Sequence, residues 1–132
     1  MDQKHILVID DDESVLETIA RILELEGYRV ETARTGREAL EKSNQGSFDL
    51  AIIDLRLPDM DGTNLLTAMP ETTPRTIKIM LTGYPSPEAR TEATRKKADG
   101  YLVKPIQIDE LLTTIKNHLE KREATRGASV AT

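Results

Sequence analysis

The chain has 132 residues, with 18 lysines and arginines against 23 aspartates and glutamates, which gives a formal net charge of -5. That length favours a single domain, and a composition of 38% hydrophobic and 31% charged residues is typical of a globular protein that folds unaided. The absence of cysteine excludes disulfides, thiolate metal sites and thiol nucleophiles, and the acidic balance without a basic stripe argues against direct nucleic-acid binding.

Five short runs are predicted to be strands, and four of them are nearly continuous stretches of apolar residues. A run of this kind is typical of a strand that is covered on both faces. The second run alternates polar with less polar residues, which predicts a strand at the edge of the sheet. In chain order the predicted strands are His5–Ile9, Tyr28–Ala33, Leu50–Ile53, Ile77–Leu81 and Tyr101–Val103.

Segments with helical spacing lie between these runs. Apolar side chains three or four positions apart predict a first helix around Val15–Leu23 and a last helix around Leu111–Leu119. Gly36–Gln45 and Thr63–Met69 are shorter helical segments. Because strand and helix alternate five times, we expect parallel strands joined by right-handed crossovers, with helices on both faces. The predicted architecture is a doubly wound α/β sandwich.

The fourth helical segment, Pro87–Lys97, has a clear start. Ser86 is a typical N-cap residue, and proline suits the first helical position. The only apolar side chains of the segment are Ala89 and Ala93, so it can bury little surface. We therefore expect this helix to be held loosely and to be mobile.

The end of the chain differs in character from the rest. After about Arg122 the residues are small or polar and show no strand or helix pattern. The sequence thus predicts a domain over residues 4–121 and a tail or linker over 122–132. No apolar run has the ~20 residues of a membrane span, and the amino terminus lacks a signal-peptide pattern, so we expect a cytoplasmic location.

Polar side chains follow four of the predicted strands. In a parallel sheet the carboxyl ends of the strands meet at one edge, where ligands bind. Carboxylates gathered there repel one another unless a cation lies among them. An all-oxygen ligand set with few members suits Mg²⁺ better than Ca²⁺, with Mn²⁺ as a substitute. The residues delivered to this edge are Asp10, Asp11, Asp12, Asp54, Thr82 and Lys104.

Asp54 is the candidate nucleophile of this edge. A carboxylate beside Mg²⁺, a lysine and a threonine hydroxyl is placed to attack phosphorus, because the metal and the ammonium neutralise charge on the phosphoryl oxygens. The product would be an aspartyl phosphate, to which Thr82 and Lys104 could hydrogen-bond.

Four short motifs follow the first, third, fourth and fifth predicted strands. They are Val8-Ile9-Asp10-Asp11-Asp12, Ile53-Asp54-Leu55-Arg56-Leu57-Pro58-Asp59-Met60-Asp61-Gly62, Leu81-Thr82-Gly83 and Tyr101-Leu102-Val103-Lys104-Pro105. Together they resemble the response-regulator receiver domains of two-component signalling, over about residues 4–121. The resemblance implies a flavodoxin-like (βα)5 fold with a five-stranded parallel sheet in the order 2-1-3-4-5.

The resemblance also implies the chemistry of the site. Asp54 would accept the phosphoryl group from a phosphohistidine of a partner kinase. Asp10 and Asp11, together with Asp54 and the backbone carbonyl of Arg56, would hold Mg²⁺. Three consecutive aspartates leave the register of the ligands open, and the first two are preferred because Asp12 has the pattern of a helix cap.

Three further residues take roles from the same resemblance. Thr82 and Tyr101 would form the switch pair, and Lys104 would be the cation that binds the phosphoryl group. The peptide bond between Lys104 and Pro105 is expected to be cis.

Four residues close to the motifs receive other interpretations. Asp59 and Asp61 are expected to shape a turn with Gly62 rather than to bind a ligand. Arg56 and Tyr84 stand two positions beyond the acceptor and the switch threonine, where side chains in this family border the path of the hydrolytic water. They could slow the loss of the phosphoryl group.

The resemblance implies a signalling switch rather than a turnover enzyme. Its expected partners are a sensor histidine kinase or phosphotransfer protein, and a downstream protein or covalently linked output domain. The interaction face would be formed by the fourth helix, the fifth strand and the fifth helix. A phosphorylation-dependent homodimer is allowed, and neither nucleic acid nor a membrane is an expected partner.

Two other functions are weighed against this one. A phosphatase of the haloacid-dehalogenase type would use Asp10 as nucleophile and Asp12 as acid, but we expect neither a late acidic pair that binds the metal after Lys104 nor a cap domain that selects a substrate. A phosphorylation-independent interaction module would keep the fold without the switch. The presence of both Asp54 and Lys104 disfavours that interpretation.

Overall fold

The computed structural model describes residues 3–72 and 75–131, in which five strands alternate with five helices. The strands are β1 (His5–Ile9), β2 (Arg29–Ala33), β3 (Leu50–Asp54), β4 (Ile77–Thr82) and β5 (Gly100–Val103). The helices are α1 (Glu13–Leu25), α2 (Gly36–Gln45), α3 (Gly62–Ala68), α4 (Pro87–Arg95) and α5 (Ile108–Ala131). Every predicted strand is present, with its ends within one residue of the prediction.

The strands form one parallel sheet in the order β2-β1-β3-β4-β5, with β2 at an edge. The predicted fold class and strand order are therefore confirmed. Near the carboxyl edge of the sheet, the paired residues are Ile9 with Ile53, Asp54 with Leu81, and Thr82 with Val103. Because neighbouring strands end almost level with one another, the side chains at and just after these ends come together.

The core lies on both faces of the sheet. Ile6 and Val8 of β1 belong to the layer that packs against α1 and α5, whereas Leu7 and Ile9 belong to the layer under α2, α3 and α4. All four side chains are fully buried. Coverage on both faces explains why the strand runs are continuously apolar in the sequence.

Three helices end at positions other than the predicted ones, and the smallest difference is in α3, which ends at Ala68 instead of Met69. α4 ends at Arg95, and Lys97, which was expected to be helical, has a backbone φ of 72° that a right-handed helix does not contain. α5 continues to Ala131, so the expectation that no helix follows Arg122 is wrong. No proline follows Arg122 to stop a helix that is already propagating. Although α5 has 24 residues, no helix in the described ranges is apolar enough to cross a membrane.

α4 has the capping and the sparse burial that the sequence predicts. The Ser86 hydroxyl accepts a hydrogen bond from the backbone N–H of Ala89 at 3.0 Å, and Pro87 opens the helix. Ala93 is its one fully buried residue. The mobility expected of this helix stays a prediction.

Candidate functional site

The ends of β1, β3, β4 and β5 bring four of the predicted site residues together. Asp10 follows β1 and is fully buried, Asp54 ends β3 with 5% of its surface exposed, and Thr82 ends β4 with 2% exposed. Lys104 follows β5, and its Nζ lies 2.8 Å from Oδ2 of Asp10 and 3.7 Å from Oδ1 of Asp54. The lysine thus pairs with carboxylates from two different strands. Its peptide bond to Pro105 is cis, as expected.

Asp10, Asp11 and Asp54 form a group of carboxylates that could hold a metal ion. One carboxylate oxygen from each lies within 4.8 Å of the other two. The carboxylate of Asp12 instead caps α1, accepting a hydrogen bond from the backbone N–H of Ser14 at 2.9 Å, so the interpretation of Asp12 as a cap is confirmed. The remaining three aspartates offer only hard oxygen ligands, and such a set fits a hard divalent cation.

The site disfavours the charged form of Asp54. Burial and then the negative charge of Asp10 raise the pKa of Asp54 to about 6, against the opposing charge of Lys104. Burial alone lowers the pKa of Lys104, but its hydrogen bond to Asp10 and the charge of Asp54 raise that pKa above its ordinary value. The lysine is therefore an ammonium, and the site still holds an excess of negative charge that a cation would relieve.

Thr82 and Tyr101 lie on neighbouring strands. The hydroxyl oxygen of Thr82 accepts a hydrogen bond from the backbone N–H of Tyr84 at 3.1 Å. Tyr101 is half-buried, and the guanidinium of Arg90 in α4 lies 5.2 Å from the centre of its ring. Within the described part of the chain, the buried Tyr101 hydroxyl has no hydrogen-bond partner. Because a buried hydroxyl without a partner costs free energy, a rearrangement that supplied one would be favoured.

Arg56 and Tyr84 form a stacked pair beside the site. The guanidinium of Arg56 lies 4.8 Å from the centre of the Tyr84 ring, and 69% of the surface of Tyr84 is exposed. The backbone N–H of Arg56 points to Oδ1 of Asp54 at 3.4 Å. The stack therefore connects the β3–α3 loop, two positions beyond Asp54, with the β4–α4 loop.

Asp59 and Asp61, interpreted from the sequence as turn residues, each cap a helix. Asp61 caps α3 and accepts a hydrogen bond from the backbone N–H of Thr63 at 2.9 Å. Asp59 accepts hydrogen bonds from the backbone N–H groups of Gly36 and Arg37, both at 2.9 Å, at the start of α2. Sequence reasoning missed the second contact because these partners lie 23 and 22 positions earlier in the chain.

Gly62 allows α3 to start against the end of β3. A Cβ atom at this position would overlap the backbone oxygen of Asp54, so the close approach requires glycine. The Gly62 N–H donates to the carbonyl of Leu55 at 2.7 Å. These contacts close the β3–α3 loop directly beside the candidate acceptor.

Comparison with known proteins gives one consistent family. A family model described as the response regulator receiver domain matches residues 6–116. The transcriptional regulatory protein PrrA of Mycobacterium leprae is 35% identical over 128 residues, which cover 97% of this chain and 55% of that protein. The chain spans about a quarter to just over half of the length of the curated relatives it matches.

Solved structures agree with that comparison. A CheY-like receiver domain protein from Methanospirillum hungatei superposes with a TM-score of 0.89 at 42% identity, covering 94% of this chain and 99% of that one. A response regulator from Burkholderia pseudomallei superposes with a TM-score of 0.81 at 31% identity, covering 96% and 75% of the two chains. The second structure contains a phosphorylated aspartic acid, a calcium ion and citrate.

Proposed function

The chain belongs to the response regulator receiver family of two-component signalling, and from that membership we propose that Asp54 is its phosphoryl acceptor. The donor is a phosphohistidine of a sensor kinase or phosphotransfer protein. The observation that carries the proposal is the position of Lys104, whose Nζ lies 2.8 Å from Asp10 and 3.7 Å from Asp54 at the carboxyl edge of the sheet.

The chain's own residues account for the transfer. A carboxylate oxygen of Asp54 forms a bond to phosphorus as the bond from phosphorus to the donor nitrogen breaks, and the bonding electrons leave with the imidazole. Lys104 neutralises charge on the phosphoryl oxygens, and the Thr82 hydroxyl donates a hydrogen bond to one of them. Asp10 and Asp11, with Asp54 and the Arg56 carbonyl, would hold Mg²⁺, or Mn²⁺ in its place, which supplies further positive charge.

The same site would act as a switch. Thr82 moves towards the new phosphoryl group, and Tyr101 turns inward into the space that it leaves. Two features support this step: the Tyr101 hydroxyl lacks a hydrogen-bond partner among the described residues, and α4 has one fully buried residue. The altered surface is the face of α4, β5 and α5, which would contact a downstream protein, a linked output domain or a second copy of the chain.

We further propose that the Arg56–Tyr84 stack borders the path of the water that hydrolyses the aspartyl phosphate, and that it slows this loss. The protein is then a signalling switch rather than a turnover enzyme, since its product stays on its own side chain. We keep residues 122–132 as a proposed tail or linker of the receiver.

The test is the intact mass of the chain after incubation with Mg²⁺ and acetyl phosphate. We expect one phosphoryl increment in the native chain and in the control Asp109→Asn, which removes an exposed carboxyl in the first turn of α5. Asp54→Asn should gain none, because its amide cannot form the acyl phosphate. Chelation of the metal should also abolish the increment.

Two results would contradict the proposal. A full increment on Asp54→Asn would place the acceptor elsewhere. No increment on the native chain, while a known receiver is labelled in parallel, would favour a phosphorylation-independent interaction module.

A further inference from the structure

The β3–α3 loop, residues 55–61, is held at two separated points. At its base, Gly62 packs against the backbone of Asp54 and donates a hydrogen bond to the carbonyl of Leu55 at 2.7 Å. At its tip, the carboxylate of Asp59 receives the hydrogen bonds from α2. The Arg56 carbonyl, one of the proposed metal ligands, lies between these two points.

The tip of the loop makes a polar and an apolar contact with the start of α2. Both contacts involve Gly36, the first residue of that helix. The two carboxylate oxygens of Asp59 each accept one backbone N–H, from Gly36 and from Arg37, at 2.9 Å. The side chain of Met60 occupies the space that a Cβ atom of Gly36 would fill. A polar contact and an apolar contact thus fix the same part of the loop on the same helix start.

The two limbs of the loop are connected to each other as well. Arg56 pairs with Asp61 as an antiparallel bridge, and the Leu57 N–H donates to the carbonyl of Met60 at 3.2 Å. A displacement of the tip therefore moves the limb that carries Arg56. At the base, Leu55 donates to the carbonyl of Leu81 at 2.9 Å and accepts from Gly62, but these contacts stop one residue before Arg56, whose own N–H contact to Asp54 is long, at 3.4 Å.

We propose that Asp59 is a positioning residue for the metal site: by anchoring the loop on the start of α2, it holds the Arg56 carbonyl in its orientation for Mg²⁺. The inference rests on the proposed function, because it takes the Arg56 carbonyl as a metal ligand. Asp59 itself does not bind the ion. Its effect passes through the loop, as the supporting contacts around metal sites commonly do.

The test is the Mg²⁺ affinity of the unphosphorylated full chain, measured by following backbone amide signals of residues 10–12 and 54–57 in an NMR titration. For Asp59→Ala we expect the Kd for Mg²⁺ to rise about tenfold, at the lower end of the range seen for supporting residues of metal sites. Asp59→Asn keeps one acceptor oxygen, so it should fall between Asp59→Ala and the native chain. Asp59→Asn also tests the positioning role if Asp59→Ala does not fold.

Two control variants separate positioning from simpler effects. Thr35→Ala removes the hydroxyl that caps the same helix through the N–H of Glu38 at 3.0 Å, but leaves the loop contact in place. Glu41→Ala removes one exposed carboxylate from the same helix. Both should bind Mg²⁺ as the native chain does.

The other outcomes would overturn either the positioning role of Asp59 or the proposed metal site itself. Native affinity in Asp59→Ala, or an equal loss in Thr35→Ala or Glu41→Ala, overturns the positioning role and leaves the proposed function intact. If the native chain itself binds no Mg²⁺, the proposed metal site fails, and the role of Asp59 fails with it.

Discussion

At the scale of single residues, the carboxyl of Asp54 is held where its charge is costly. Its pKa rises from an ordinary value of 3.8 to about 6, first because it is buried and second because Asp10 lies beside it. Between these two pH values the folded chain binds a proton that the unfolded chain has released. Because the folded chain holds this proton more tightly, Asp54 contributes to the free energy of unfolding at low pH. That contribution is lost as the pH rises through about 6.

This linkage predicts how Asp54→Asn changes stability with pH. Without divalent ions at pH 7.5, the variant should be more stable than the native chain by about 1–2 kcal/mol, because the amide carries no charge to bury. The difference should shrink as the pH falls below about 6 and the native carboxyl takes up its proton. Urea unfolding of both chains from pH 4.5 to 8 measures it.

A pH-independent difference between the two chains would contradict the raised pKa of Asp54. Addition of Mg²⁺ provides an internal control. It should stabilise the native chain more than the variant, since a ligand that binds only the folded state adds RT ln(1 + [L]/Kd) to the free energy of unfolding, and this amount grows as the Kd falls.

At the scale of elements, strands were easier to predict than helix ends. A strand buried on both faces, such as β3, is a continuous apolar run, and the first polar residue marks its end within one position. Helix ends depend on weaker signals. After Arg122 the sequence contains a glycine, Gly127, which commonly ends a helix, but no proline, and α5 nevertheless continues to Ala131.

α4 is the element we expect to respond most to phosphorylation. With Ala93 as its one fully buried residue, it has little apolar burial to resist local opening. Its amides should exchange with solvent faster than those of α1, in which Leu16, Ile19 and Leu23 are buried. When beryllofluoride and Mg²⁺ mimic the phosphoryl group, we expect protection of the α4 amides to change by about fivefold or more.

Hydrogen-exchange mass spectrometry on peptides from α4 and α1 measures this response. Asp54→Asn is the control, because without the carboxylate of the proposed acceptor the mimic should leave the exchange of the α4 amides unchanged. Equal protection of the native α4 with and without the mimic would show that this helix does not take part in the switch.

At the scale of the whole molecule, Arg122 connects α5 by hydrogen bonds to the residues that precede β3 and β4, at the amino edge of the sheet. Its guanidinium donates to the backbone carbonyls of Asp49 and Arg75 at 3.1 and 3.0 Å, and to Oδ1 of Asp49 at 2.7 Å. The other Asp49 oxygen accepts the backbone N–H of His5 at 2.8 Å. Burial alone would raise the pKa of Asp49, but these hydrogen bonds hold it below its ordinary value.

We therefore expect Arg122→Ala to lower the free energy of unfolding by about 2–3 kcal/mol, because Oδ1 of the half-buried Asp49 carboxylate loses its charged partner and the backbone carbonyls of Asp49 and Arg75 each lose one hydrogen bond. Lys121→Ala, at the exposed neighbouring position, should change it by less than about 0.5 kcal/mol. A chain that ends at Lys121 should lose as much stability as Arg122→Ala, and a chain that ends at Thr125 should not. Urea unfolding compares all four.

Equal stability of the chains that end at Lys121 and Thr125 would support a receiver boundary at residue 121. If the chain that ends at Lys121 is less stable, as predicted, the boundary of the receiver lies after Arg122. The tail or linker would then start within the last turns of α5.

The sequence by itself determined the doubly wound fold and the gathering of Asp10, Asp54, Thr82 and Lys104 at one edge, whereas the strand order was implied by the family resemblance. These features depend on local signals: the apolar period along each run, the polar residue that ends it, and the topology that alternation imposes. The four motifs that follow the strands then indicated the receiver family.

Only the tertiary structure decided which distant groups meet. The contact of Asp59 with the start of α2 joins residues 22 and 23 positions apart, and that of Arg122 with Asp49 joins residues 73 positions apart. The raised pKa of Asp54 likewise depends on burial and on Asp10 from another strand. No local pattern encodes such pairs, because they arise from how loops and helix ends pack once the sheet has formed.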